Sequence, residues 1–149
     1  MGAQALSNGQ SLVSRRAPEF ARKTLDGRTV DLRSYRGKIV LLDFWATWCA
    51  PCLVEMPAFS RWQREYGPRG LAIVGVSMDD DAATARKAVD KLKPDYTIVM
   101  GDANLGTLYG GVIGLPLVYL IDADGVVRAR FQGESDPKTI ESAIKRLLK

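Results

Sequence analysis

Apolar residues along this chain follow two spacings, one typical of buried strands and one typical of amphipathic helices. Continuous apolar runs at 39–42, 71–76 and 117–121 have the length and the β-branched content of strands that are covered on both faces. Between the first two runs, apolar residues recur every three or four positions, at Leu53, Met56, Phe59, Trp62 and Tyr66. Strands that alternate with helices predict an α/β domain with a central sheet.

Turn and cap residues set the ends of these elements. We predict a strand over 38–45, a helix that begins near Pro51 and stops at Gly67 and Pro68, and a second strand over 71–76. Pro57 lies inside the helical pattern and is expected to kink the helix. These three elements form one strand–helix–strand unit.

Further segments complete the predicted domain. Residues 17–38 predict an N-terminal β-hairpin, and 117–131 predict a second hairpin across an Asp-Ala-Asp-Gly turn. A C-terminal helix is capped by Asp136. Residues 77–115 are far longer than the dozen or so residues that a parallel crossover needs, so we expect an inserted helix and strand there. The predicted fold class is α/β, with a central mixed sheet flanked by helices.

Composition favours a single soluble domain. The chain has 149 residues, of which 46% are hydrophobic and 26% are charged, and this length can bury a core without cross-links. We divide it into a flexible leader over 1–16 and one domain over 17–149, and we expect a monomer. The net charge of +4 is spread along the sequence, which indicates a solvated surface and provides no basic stripe for nucleic acid.

Missing residue types exclude several functions. The chain has no histidine and two cysteines, so Cys–His catalysis and a four-ligand zinc site are excluded, and we predict no metal and no cofactor. No apolar stretch approaches the roughly twenty residues that span a membrane. The N-terminus also lacks the apolar region of a signal peptide. The remaining chemistry rests on the two cysteines.

Cys49 and Cys52 lie directly after the first predicted strand, at the start of the helix. Backbone N–H groups and the positive end of the helix dipole face Cys49 and lower its pKa. Cys52 lies one turn further in and is expected to be less exposed. We expect Cys49 to attack a partner disulfide and Cys52 to attack the resulting mixed disulfide, which releases the reduced partner. The alternative is an inert structural disulfide or two packed, unbonded cysteines.

Several motifs together resemble the thioredoxin-like thiol–disulfide oxidoreductases of the TlpA/ResA branch. They are Ala-Pro-Glu-Phe at 17–20, Phe-Trp-Ala-Thr-Trp-Cys-Ala-Pro-Cys at 44–52, Glu-Met-Pro at 55–57, Gly-Leu-Pro at 114–116 and Leu-Ile-Asp at 120–122. The resemblance spans about 17–149 and implies a thioredoxin fold with the αβ insertion before a cis-proline loop. It implies a disulfide-containing protein as substrate, apocytochrome c and copper-site assembly proteins among them, and an upstream thiol reductant. It also implies a periplasmic or otherwise extracytoplasmic bacterial location, with membrane attachment only through an anchor outside this chain.

The resemblance assigns roles to residues around the cysteines. Asp43 matches the buried acid of thioredoxins, which is expected to have a raised pKa and to accept the proton of Cys52. A strand-end aspartate bonded to backbone is the alternative. Glu55 matches an acid near the active site in the ResA-like branch, with an exposed helix glutamate as an equal alternative. Partner contacts are expected from these residues: Trp48, Ala50, Pro51, Leu115 and Pro116.

Two further expectations follow from the same resemblance. Pro116 matches the cis-proline loop, which would place the backbone of Leu115 beside the disulfide to pair with an extended substrate. The lysine that partners the buried acid in thioredoxins is replaced within Ile-Val-Gly-Val at 73–76. Asp43 is therefore expected to lack a nearby cation, so that desolvation raises its pKa further.

Three other functions compete with a reductant. A peroxidase of the peroxiredoxin class requires proline at 42 and threonine at 46, where this chain has Leu42 and Ala46. A carrier of Cu(I) or another metal on the two thiolates is weakened because Met56 is the nearest additional soft ligand. An oxidase of folding proteins is disfavoured because Ala-Pro between the cysteines lacks the histidine of strong oxidants. The sequence therefore favours a reductant.

Overall fold

A computed structural model describes residues 12–148 of the chain, and its elements follow the predicted ones closely. In chain order they are β1 (Ala21–Lys23), β2 (Thr29–Asp31), β3 (Ile39–Trp45), α1 (Ala50–Tyr66), β4 (Leu71–Ser77), α2 (Ala82–Leu92), β5 (Thr97–Met100), α3 (Ala103–Leu108), β6 (Leu117–Ile121), β7 (Val127–Gln132) and α4 (Pro137–Leu147). Short 3-10 turns, Leu32–Tyr35 and Gly67–Arg69, follow β2 and α1. Pro57 lies inside α1, which continues past it to Tyr66.

β3 is the central strand of a five-stranded sheet with the order β5-β4-β3-β6-β7. It runs parallel to β4 and antiparallel to β6. β1 and β2 form a separate antiparallel hairpin, and α2, β5 and α3 lie between β4 and β6 in the chain. This mixed sheet with its N-terminal hairpin and αβ insertion confirms the predicted fold class.

The residues of β3 face two different cores because side chains alternate along a strand. Its odd-numbered apolar residues, including Trp45, pack in a cluster that contains both cysteines and apolar residues of α1 and α4. Its even-numbered residues, including Phe44, pack with the N-terminal segment and with Tyr109 after α3. Asp43 is odd-numbered, so the strand directs it toward the core that contains the cysteines.

Residues 12–16 contact the last strand of the sheet. The N–H of Ser14 donates to the carbonyl of Val127 at 2.7 Å, and the N–H of Val127 donates to the carbonyl of Arg15 at 2.8 Å. Contacts with the domain therefore begin inside the segment 1–16 that the sequence predicts to be a flexible leader, while residues 1–11 lie outside the described part of the chain. Within residues 12–148, no helix has the length and apolar character needed to cross a bilayer.

Candidate active site

The two cysteines form a disulfide at the N-terminus of α1. Their Cα atoms are 5.3 Å apart, a usual separation for a disulfide. Cys49 is the N-cap residue, and its Sγ accepts a hydrogen bond from the N–H of Cys52 at 3.3 Å. Cys49 is 5% exposed and Cys52 is fully buried. The cap position of Cys49 and the lower exposure of Cys52 are as the sequence predicts, and the attacking and resolving roles stay predictions.

The loop that leads to Cys49 is held by a buried carboxylate that the sequence reasoning missed. Asp79 accepts hydrogen bonds from the N–H of Thr47 at 3.1 Å, from the hydroxyl of Thr47 at 2.6 Å and from the hydroxyl of Ser77 at 2.7 Å. In the sequence it looks like one of three acids that precede a helix, but the N-cap of α2 is Asp81. The signal for its role is its place just after β4, whose last residue pairs with Trp45 at the end of β3.

We expect Asp79→Ala to destabilise the fold, because it leaves buried donors on Thr47 and Ser77 without an acceptor. The expected loss is about 2 kcal/mol, or a fall in Tm of about 4–8 °C. The measurement is thermal unfolding by circular dichroism of the oxidised protein at pH 7. Asp80→Ala is the matched control, since Asp80 is the exposed neighbour. Equal Tm values for the two variants would contradict the anchoring role.

Two carboxyl groups with raised pKa values lie on the cysteine side of the sheet. Burial is the main cause for Asp43, which is 1% exposed, and the charge of Glu55 raises its pKa further above the usual range. Burial raises the pKa of the half-buried Glu55 to about 7, with a second contribution from the charge of Glu134. Among residues 12–148, Asp43 forms no ion pair. The raised pKa of Asp43 and its lack of a cation agree with the sequence-based expectation.

The position beside Asp43 on the neighbouring strand is Gly75. This glycine belongs to the Ile-Val-Gly-Val segment in which the sequence predicts that a lysine is replaced. It provides no side chain to neutralise the carboxylate. Glu55 lies three residues after Cys52 on α1, so the two residues are neighbours on one helix face. The structure therefore places both predicted acids on the same side of the sheet as Cys52, with Glu55 one helical turn after it.

The expected partner-binding residues differ in exposure, from the exposed Trp48 to the buried Pro116. Trp48 is 71% exposed, Ala50 is exposed and Pro51 is half-buried. The peptide bond between Leu115 and Pro116 is cis, as the resemblance implies, and Leu115 packs against the cluster that contains both cysteines. These residues thus reach the site from α1 and from the loop before β6.

The loop with the cis bond is hydrogen-bonded to the end of β7. The side-chain amide of Gln132, at the end of β7, donates to the carbonyl of Gly114 at 3.1 Å. The N–H of Gly133 donates to the carbonyl of Pro116 at 2.8 Å. These bonds hold the backbone on both sides of Leu115, so an extended partner segment would meet a preformed edge.

A thioredoxin fold that presents a Cys-x-x-Cys disulfide at a helix N-terminus, beside a cis-proline loop, defines a thiol–disulfide oxidoreductase. The AhpC/TSA family matches residues 13–130, and the chain belongs to this family. It is 30% identical over 135 residues to the thiol-disulfide oxidoreductase ResA of Bacillus thuringiensis subsp. konkukian, covering 91% of this chain and 78% of that protein.

Two further relatives support the same activity. The thiol:disulfide interchange protein DsbE of Escherichia coli is 33% identical over 143 residues, covering 92% of this chain and 74% of that protein. The crystal structure of a putative thiol:disulfide interchange protein DsbE from Chlorobium tepidum superposes with a TM-score of 0.84 at 32% identity, covering 89% of this chain and 94% of that one. The protein is a ResA- and DsbE-like protein thiol–disulfide oxidoreductase that uses the Cys49–Cys52 couple.

Proposed function

We propose that the protein donates electrons to disulfides of partner proteins outside the bacterial cytoplasm, with Cys49 attacking and Cys52 resolving. The observation that carries the direction is the pair of acids, Asp43 and Glu55, beside the resolving cysteine. A negative charge near a thiol disfavours the thiolate. Strong oxidants of this class owe their potential to a stabilised reduced form. Within residues 12–148 no cation pairs with Asp43, and Glu55, with its pKa of about 7, is partly ionised at neutral pH. The site therefore does not favour a thiolate at Cys52, and the dithiol gives up its electrons readily.

The partner segment binds as an extended strand along Leu115, next to the cis bond. Trp48, Ala50 and Pro51 contact it from the start of α1. The names of the relatives support thiol–disulfide exchange as the activity, and we infer a protein disulfide as the substrate and an upstream thiol reductant as the source of electrons. Apocytochrome c and copper-site assembly proteins are the partner classes we infer from the sequence resemblance. We further propose that the protein acts as a monomer.

In the resolving step, Asp43 accepts the proton of the Cys52 thiol. The thiolate of Cys52 then attacks Sγ of Cys49 in the mixed disulfide, the bond between Cys49 and the partner breaks, and the partner leaves as a thiolate. Two protein thiols are oxidised to one disulfide, and one partner disulfide is reduced. Glu55 exchanges protons between this buried carboxyl and solvent, which its half-buried position and its pKa of about 7 allow.

The reduction potential of the Cys49–Cys52 couple tests the direction of electron flow. We expect a value near that of thioredoxin, about −270 mV, and far from the value of about −120 mV of a strong oxidant. The measurement is equilibration with thiol–disulfide buffers, followed through tryptophan fluorescence. Cys52→Ala cannot form the internal disulfide, so it is the control for fluorescence changes that do not come from the Cys49–Cys52 couple. A value near −120 mV would reverse the proposed direction.

A further inference from the structure

Buried polar atoms without partners lie in the core on the cysteine side of the sheet. Within residues 12–148 the buried side-chain atoms without a hydrogen-bond partner are Asp43 Oδ1, Trp45 Nε1, Glu55 Oε1, Trp62 Nε1 and the hydroxyl of Tyr96. Buried polar atoms in folded proteins normally have partners. A group of such atoms beside a reactive thiol pair therefore points to a function in the reaction cycle.

Gly75 explains how Tyr96 reaches this place. A Cβ atom at position 75 would lie 2.7 Å from Cδ1 of Ile98, 3.2 Å from Nε1 of Trp45 and 3.3 Å from Cε2 of Tyr96. A side chain on this residue of β4 would therefore require Ile98, Trp45 and Tyr96 to shift. The aromatic rings of Trp45 and Tyr96 occupy the room that a β4 side chain would need. Because Gly75 pairs with Asp43, this places Tyr96 next to the buried acid.

Tyr96 also lies under the helix that carries the resolving cysteine. Its ring centroid is 6.4 Å from that of Phe59 on α1, and it belongs to the core cluster that contains both cysteines. Burial, followed by the charges of Asp43 and Glu55, raises the pKa of Tyr96 far above its usual range. The Tyr96 hydroxyl therefore keeps its proton at neutral pH. It stays uncharged, and able to donate a hydrogen bond, when a carboxylate forms beside it.

We propose that Tyr96 is a positioning residue for disulfide exchange: when Asp43 ionises in the reduced protein, the Tyr96 hydroxyl, unpartnered in the oxidised structure, donates a hydrogen bond to its carboxylate and so takes the place of a cation. This inference rests on the proposed roles of Asp43 and Cys52. Tyr96 exchanges no proton itself. In the resolving step the proton of Cys52 moves to the Asp43 carboxylate, and the hydroxyl of Tyr96 stabilises that carboxylate before the proton arrives. Without this donor, Asp43 would stay protonated up to a higher pH, and a protonated Asp43 cannot accept the proton of Cys52.

Tyr96→Phe tests this role, because it removes the hydroxyl and keeps the ring. The readout is the pH profile of the resolving step, with the reduced protein and an aromatic disulfide whose released thiol absorbs visible light. We expect the acid limb of the profile to move up by about one pH unit. A shift of that size corresponds to the free energy of one lost hydrogen bond to a charged group. Below the limb, resolution should slow about tenfold. Well above it, the variant and the wild type should react equally fast.

Two controls separate this role from packing. Tyr109→Phe removes another buried tyrosine hydroxyl, which donates to the carbonyl of Pro18 at 2.6 Å in the other core, and should leave the limb in place. Attack by Cys49, measured with Cys52→Ala, should be unaffected by Tyr96→Phe. An unmoved limb, or an equal loss of rate at every pH, would overturn the proposal.

The titratable groups that face the buried acid come from several elements. Glu55 on α1 and Tyr96 before β5 interact with Asp43 by charge, and Glu134 after β7 acts through Glu55. Cys49 and Cys52 lie in the core on the same side of the sheet. A second measurement therefore follows Asp43 alone, by NMR titration of its carboxyl carbon in the reduced protein. The Asp43 pKa should be higher in Tyr96→Phe than in the wild type, and equal values would overturn the proposal.

The aromatic disulfide accepts electrons from any reactive dithiol. The outcome for Tyr96 is therefore independent of the reduction potential. A potential near that of a strong oxidant would contradict the proposed direction of electron flow while leaving the effect of Tyr96→Phe readable. A reducing potential combined with an unmoved limb would contradict the role of Tyr96 alone.

Discussion

Replacing Cys52 by alanine is expected to trap the protein in a mixed disulfide with its partner, whereas replacing Cys49 by alanine abolishes the reaction. Cys49 caps α1 at the rim of the site, and its sulfur accepts the N–H of Cys52, so a thiolate on Cys49 is stabilised where a partner reaches it. Cys52 is fully buried and attacks only the sulfur of Cys49. Because the chain has no other thiol, we expect Cys49→Ala to lose at least about 100-fold in rate.

The measurement uses the reduced variants with a disulfide-containing protein such as insulin. Non-reducing gel electrophoresis should show an adduct for Cys52→Ala that approaches one partner per protein and disappears with dithiothreitol. Cys49→Ala should show none. The double variant is the control for non-covalent association. An adduct of equal yield from both single variants would contradict the assignment of attacking and resolving roles.

The framework around these cysteines could be predicted from the sequence because its signals are local. Apolar runs at 39–42 and 71–76 predict β3 and β4, and the observed strands begin and end within one residue of the predicted bounds. Asp136 caps the C-terminal helix, as the sequence predicts. The two cysteines occupy a strand–helix junction that requires no knowledge of distant residues. The cis bond before Pro116 is confirmed, but it is predicted from the family resemblance, since composition alone does not predict it.

The surroundings of the site could not be predicted because they depend on the register between strands. Asp79 looks like a helix-start acid until Trp45 is known to pair with Ser77, which brings its carboxylate to the N–H of Thr47. Tyr96 precedes a short strand and has no local signal for a place near Asp43. Only the pairing of Gly75 with both Asp43 and Ile98 brings it there.

A buried acid without a cation gives this protein opposite requirements for stability and for activity. The pKa of Asp43 in the folded protein lies well above its usual value of 3.8, so folding favours the protonated form. Stability is therefore greatest below about pH 4 and falls as the pH rises toward the folded pKa, because the unfolded chain releases this proton first. Asparagine cannot ionise and removes this dependence.

Asp43→Asn should consequently raise stability while slowing exchange. At pH 7 we expect a gain of at least about 1 kcal/mol, or about 3 °C in Tm, that becomes small at pH 4. The resolving step should slow about 10- to 100-fold at pH 7, because the proton of Cys52 loses its acceptor. Thermal unfolding at both pH values and release of the thiol from an aromatic disulfide measure the two effects.

Asp80→Asn is the matched control for this last variant, since it removes a carboxylate from an exposed residue and should alter neither quantity. Attack by Cys49, isolated with Cys52→Ala, should keep its rate in Asp43→Asn, because that step uses no proton from the buried cysteine. A variant that gains stability but resolves at the wild-type rate would assign the proton to Glu55, whose pKa of about 7 suits it to that role. A variant that loses stability at pH 7 would instead mean that Asp43 is ionised and compensated in the folded protein.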